Sequence, residues 1–171
     1  MVWTAGSADD LLSAAQLLFD FNTEFGEPAP PPATLARRLA QCRAAGVVVL
    51  LVGAGEVRSD AGPVAHGVAV MRLAPSLWSP AQEAYLAEFY VSPERRGRGL
   101  GTALLAAVVR RARDEGADYA FLITSEHDVQ AQRVYRNAGF RHTEGDDGPA
   151  MIAFELDLPQ VGDGDDGPLT T

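Results

Sequence analysis

The chain has 171 residues, 47% of them apolar, which suits one domain with a real core and is short for two. A formal charge of −9 argues against general nucleic-acid binding, and no apolar run approaches the ~20 residues of a membrane span. A single cysteine, Cys42, excludes an internal disulfide and a cysteine-rich metal site; with no basic-then-apolar leader at the start, the expected setting is cytoplasmic, with no nucleic-acid, membrane or metal partner.

In chain order, residues 2–4 read as a short first strand. Ser7 opens a helix in which Leu11, Leu12, Ala15, Leu18 and Phe19 recur at helical spacing, fading near Phe25-Gly26. The proline-rich stretch after Gly26 is a rigid break, and Thr34 is the expected cap of a second helix, residues 35–45. Residues 47–52 (VVVLLV) form a buried strand by their β-branched run. A hairpin-type connection leads to a strand over 65–74, a loop holding Trp78, and a strand over 84–91. A glycine turn then launches a helix to about Glu115. A strand at 119–125 and a helix at 129–139 follow. Two closing strands, FRHTE and residues 151–158, flank a GDDGP turn. The acidic, apolar-poor residues 159–171 are an expected disordered tail, leaving 1–158 as the domain.

The glycine turn carries the chemistry. Residues 95–101 (RRGRGLG) hold three arginines and three glycines before an apolar helical pattern begins. The first amides of a helix lack internal partners and lie at the positive end of its dipole, so they bind phosphate. Gly97, Gly99 and Gly101 let backbone approach a ligand, and Arg95, Arg96 and Arg98 add charge. Residues 95–141 hold nine arginines against five acidic residues, an excess of four positive charges in an otherwise acidic chain without lysine. A nucleoside-triphosphate loop needs a Lys-Ser/Thr pair, and a dinucleotide fingerprint needs a glycine where Thr102 stands. An Arg-x-x-Gly-x-Gly pyrophosphate clasp fits Arg96 to Gly101 at every position.

That stretch resembles the coenzyme A signature of the GNAT superfamily of N-acetyltransferases. The resemblance continues through AYLAEFYVSPERRGRGLGTALL and through DVQAQRVYRNAGF, where Ala131, Val134, Tyr135, Gly139 and Phe140 stand at the family's positions. It implies a single α+β domain, with a mixed, mostly antiparallel sheet flanked by helices and splayed central strands. It implies acetyl-CoA as co-substrate, its pyrophosphate on Arg96, Gly97, Arg98, Gly99, Leu100, Gly101 and Thr102. Its pantetheine arm would pair with Phe89, Tyr90 and Val91 as an added strand, with an amide near Val91 polarising the thioester. Asp128 stands where the family often has a coenzyme-holding Asn; a carboxylate accepts a hydrogen bond and cannot donate one.

Direct transfer to an amine needs a base and a proton source for the sulfur. Glu88, three residues before Val91, is the candidate base; a solvated strand residue is the alternative. Tyr135 stands where the family places the acid, and helix packing is the alternative. His66, His127, His142 and Cys42 are read as structural or exposed. The Trp78 loop and the Phe21–Phe25 region either wall the acceptor pocket or pack as core. The acidic balance favours a small cationic amine as acceptor. A non-catalytic acyl-CoA-binding regulatory module, a protein N-terminal or lysine acetyltransferase, and a homodimer are left open.

Overall fold

The computed structural model describes residues 1–58, 62–145 and 147–156. The tail at 159–171 lies outside the described residues. Backbone contacts divide the chain into residues 1–141 and a second unit from His142 onward.

The first unit runs β1 (Val2–Thr4), α1 (Ala8–Glu24), α2 (Pro32–Ala44), β2 (Val48–Val52), β3 (Val57–Arg58), β4 (Gly62–Pro63), β5 (Gly67–Pro75), β6 (Gln82–Val91), α3 (Leu100–Asp114), β7 (Ala117–Leu122) and α4 (Val129–Asn137). Ser7 starts α1 as the sequence suggests. Its hydroxyl accepts from the Asp10 amide at 3.0 Å, and Asp10 accepts from the amides of Gly6 and Ser7 and from the Trp3 indole. Burial alone would raise the Asp10 pKa; these hydrogen bonds outweigh it and bring it down to about 2. The second helix begins three residues before its expected start, with Pro32 in its first turn. The Thr34 amide donates to Pro31 O at 2.8 Å, so Thr34 lies inside the helix and caps nothing. Proline needs no amide partner at a helix start and already has helical φ.

A five-stranded sheet has the order β1-β2-β5-β6-β7, antiparallel except where β7 runs parallel to β6. Both faces of β2 are buried. Val49 and Leu51 join Val68, Val70 and Tyr90 under Leu11, Ala14, Leu17 and Leu39 of α1 and α2. Val48, Leu50 and Val52 join Ala69, Met71, Ala84 and Leu86 under Leu104, Leu105 and Val108 of α3 and Tyr135 of α4. Two buried faces explain why β2 reads as a continuous apolar run.

The register of β6 positions the site. Leu86 pairs with Met71 and Glu88 with Val70, so Ala87 is an extra residue, a β-bulge. Ala84 and Leu86 face α3, whereas Tyr90 faces α1. Strict alternation would have put Glu88 and Tyr90 on the α3 side; the bulge reverses the parity. Pairing with β7 stops at Leu86–Leu122, so the strand beyond the bulge has an open edge on that side. This is the expected splay.

The two closing strands are not found among the described residues. Thr143 and Ala150 form an isolated bridge across the turn, and Met151, Ile152, Phe154 and Leu156 are exposed. The alternating pattern is present without a described strand to pair it. The connection after β2, in turn, holds a small hairpin of β3 and β4.

Candidate active site

Beyond Val91 the chain makes one 3₁₀ turn, Pro93–Arg95, closed by Arg95 and Arg96 amides donating to Ser92 O and Pro93 O. Gly97 (φ +73°) and Gly99 (φ +78°) then take left-handed conformations, and Gly99 is the N-cap of α3. No side chain caps this helix. A Cβ on Gly97 or Gly99 would meet nothing within 4 Å, so the space before the helix start is open. A Cβ on Gly101 would touch the Phe89 ring and Val91 at 3.9 Å, so the first turn of α3 rests on the end of β6. The donors aim outward, the backbone is bare and the entrance is clear. These are the requirements of a pyrophosphate cradle, and the residues present fit it. Arg98 and Thr102 are exposed beside it, and Leu100 packs inward.

Tyr135 is buried, its ring 5.7 Å from Phe89 and 6.2 Å from Phe140. Burial pushes its phenol up to about 12, and the Asp128 charge adds to the rise. Asp128 is the N-cap of α4 and accepts from the Ala131 amide at 3.0 Å. Its carboxylate thus holds the start of the helix that carries Tyr135, a role that needs only an acceptor.

Glu88 is half-buried on the opposite face of the sheet. Desolvation raises its pKa, and the Arg72 charge partly offsets this. The Arg72 guanidinium is exposed, 5.9 Å from the Tyr85 ring centre, and Tyr85 stacks on Phe121 at 5.0 Å. Glu88 and Tyr135 therefore do not meet. They flank the open end of β6 from its two faces.

Arg96 reaches away from the turn. Its Nε donates to Val91 O at 2.9 Å, and its two Nη atoms donate to the Glu24 carboxylate at 2.8 and 2.7 Å. Its guanidinium lies 5.5 Å from the Tyr90 ring centre. Burial pushes the Tyr90 phenol up to about 12, with Glu24 contributing. Sequence reasoning missed Glu24, which lies 72 residues from Arg96 with no local pattern linking the two. It also missed Arg72, which only strand pairing brings near Glu88.

A second anchor lies behind the turn. Glu56 accepts from Arg95 at 2.8 Å and contacts the buried His66 at 3.2 Å. His127 is exposed, as is Cys42, and neither lies among these groups. Trp78 is 91% exposed, so it is not core. It precedes β6, whose nine residue steps to Val91 span about 30 Å, which keeps it from walling the site. Phe21, by contrast, packs on Tyr90 at 5.3 Å and on Phe25 at 5.3 Å, beside the open end of β6.

A helix start free of side-chain caps thus adjoins a strand split from its parallel neighbour. Residues 14–140 match the acetyltransferase (GNAT) family, and the chain belongs to it. Among curated relatives, an aminoglycoside N(6')-acetyltransferase type 1 of Stenotrophomonas maltophilia is 42% identical over 60 residues, 35% of this chain and 39% of the relative. A thialysine N-epsilon-acetyltransferase of Bos taurus is 28% identical over 94 residues, 55% of each chain. The chain thus matches about half or less of the length of these relatives. A crystal structure of a candidate acetyltransferase from Arthrobacter sp. FB24 superposes with TM-score 0.78 at 36% identity, over 92% of this chain and 96% of that one. An aminoglycoside acetyltransferase from a soil metagenome, in complex with sisomicin, shares the fold at TM-score 0.70 and 17% identity, over 93% and 96%.

Proposed function

We propose that this protein is an acetyl-CoA-dependent N-acetyltransferase that transfers acetyl directly to a primary amine of a small cationic molecule. The observation that carries the reading is the open edge of β6 beyond Ala87, adjoining the uncapped start of α3. When bound, acetyl-CoA supplies an activated thioester. The amides of Gly97 to Thr102 would hold its pyrophosphate, and Phe89, Tyr90 and Val91 would offer main-chain groups to its peptide-like arm. Glu88 and Tyr135, on the two faces of the split, would flank the acyl group.

An alkyl ammonium has a pKa of ~10.4, so on the order of one amine in a thousand is neutral at pH 7. Glu88 accepts that proton, and its raised pKa makes it a stronger base than an exposed carboxylate. Tyr135 would serve the departing sulfur. A phenol near 12 holds its proton at every working pH, but full transfer to a thiolate of pKa ~8.5 is uphill by roughly 5 kcal/mol. Tyr135 therefore acts chiefly as a hydrogen-bond donor to the sulfur, with solvent completing the protonation. No nucleophile of the protein takes part, so no covalent acetyl-enzyme forms.

The acidic balance of the chain supports a cationic acceptor, as do relatives named for aminoglycoside and thialysine acetylation. The test is acetyl-CoA turnover over a panel of polyamines, aminoglycosides, amino acids and peptides, read as free thiol. Turnover is expected with small polycations. Acetyl-CoA binding without turnover of any amine would reduce the protein to a binding module. Gly99→Val checks the cradle: its side chain enters the open approach, and acetyl-CoA affinity by calorimetry should fall at least about tenfold. Unchanged affinity would remove the cradle from the reading.

A further inference from the structure

Arg96 adjoins Gly97, yet its side chain turns away from the helix start and grips two other elements. Glu24 is the last residue of α1, and Val91 is the last residue of β6. Three N–H groups of Arg96 bridge these two ends at 2.7 to 2.9 Å, with the guanidinium carbon over the Tyr90 ring. The last turn of α1 carries no basic residue of its own, so Arg96 supplies the cation that a helix C-terminus favours. Beyond Glu24 come Phe25, Gly26 and the proline-rich connection, emerging on the same face of the sheet as Glu88.

We propose that Arg96 is a positioning residue for the acceptor side of the site: it ties the end of α1 to the open end of β6, and its guanidinium serves that tie in place of the coenzyme's phosphates. The proposal rests on the acetyl-transfer reading for its kinetic consequence alone. Both side chains are partly exposed, 37% for Arg96 and 29% for Glu24, and a pair so exposed contributes little to global stability. Its effect is geometric. Lysine cannot reproduce it, because one ammonium cannot fork onto Glu24 and reach Val91 O together. A phosphate site needing only positive charge would tolerate lysine well.

The variants are Arg96→Lys, Arg96→Met, Glu24→Gln and the Met/Gln double variant, with spermidine and sisomicin as acceptor probes. Acceptor KM should rise about tenfold in all four, with no further rise in the double variant. Turnover number should stay within about threefold of the parent, and the calorimetric acetyl-CoA Kd should shift no more in Arg96→Met than in Glu24→Gln. Hydrogen exchange at the Phe25 and Gly26 amides should accelerate in every variant. The proposal is overturned if Arg96→Met weakens acetyl-CoA tenfold, Arg96→Lys restores it and Glu24→Gln is silent, because Arg96 is then a phosphate ligand. If neither probe is acetylated by the parent, the acetyl-transfer reading fails for these acceptors, and exchange decides the tie. Unchanged protection at Phe25 and Gly26 in Glu24→Gln and Arg96→Lys would sink it.

Discussion

At the scale of single residues, the two flanking groups make opposite demands on their surroundings. In the proposed reaction Tyr135 must keep its proton, and burial against Phe89 and Phe140 favours that. Tyr135→Phe keeps the ring and removes one hydrogen bond to a developing thiolate, an interaction worth about 1.5–3 kcal/mol. Turnover should fall about 10- to 150-fold, with acetyl-CoA affinity unchanged; a fall within twofold, with chemistry limiting, would return Tyr135 to a packing role. As the proposed base, Glu88 must lose its proton. Desolvation raises its pKa above 4.5, so the acid limb of kcat/KM should lie above the ordinary carboxylate range. The same raised pKa makes ionised Glu88 a burden on folding, absent below pH 4.5 and complete once pH passes the folded value. Arg72 lowers that pKa, so Arg72→Ala should move the limb to higher pH. A limb that stays put or moves down would mean that Glu88 is not the titrating base. The sequence set Glu88 three residues before Val91, and the family resemblance marked Tyr135. It could not place Arg72 or Glu24, whose contacts arise from pairings between distant segments.

Elements that depend on nearest neighbours were legible: the Ser7 start of α1, the apolar run of β2, the glycine launch of α3. The Ala87 bulge was not. AYLAEFYV alternates well enough to pass as one unbroken strand, and only the partner strand reveals the extra residue. Yet the bulge decides which face Glu88 serves. The same end of β6 is held from beneath by Gly67, which pairs with Val91 on one side and Val52 on the other. A Cβ at Gly67 would lie 2.8 Å from Tyr90 O, 2.9 Å from a Val52 methyl and 3.0 Å from a Val91 methyl. The nearest of these is backbone and cannot swing aside. Gly67→Ala should therefore cost about 1–3 kcal/mol in urea unfolding, as overpacking does, and weaken acetyl-CoA binding by displacing the open edge. Parent-like stability would show that β6 can shift at little cost, and the edge would then be less fixed than its pairing implies.

Across the whole molecule, charge is unevenly divided along the chain. Residues 95–141 carry nine arginines against five acids, while the rest of the chain carries eighteen acids against five arginines. On the proposed function, an anionic coenzyme would be drawn to the first region and a cationic acceptor to the second, both attractions acting through solvent. The Debye length falls from about 30 Å at 0.01 M salt to about 3 Å at 1 M. Over that range, kcat/KM for spermidine at saturating acetyl-CoA should fall by about tenfold or more. A singly charged alkyl amine should respond more weakly, since its attraction to the acidic surface scales with its charge. The coenzyme side has its own control: acetyl-pantetheine lacks the phosphates, so its KM should vary little with salt while that of acetyl-CoA rises. A spermidine kcat/KM that is flat from 0.01 to 1 M would mean the acidic surface takes no part in recruiting the acceptor. The assignment of a cationic amine would then give way to a neutral one, with Glu88 and the open edge of β6 left in place.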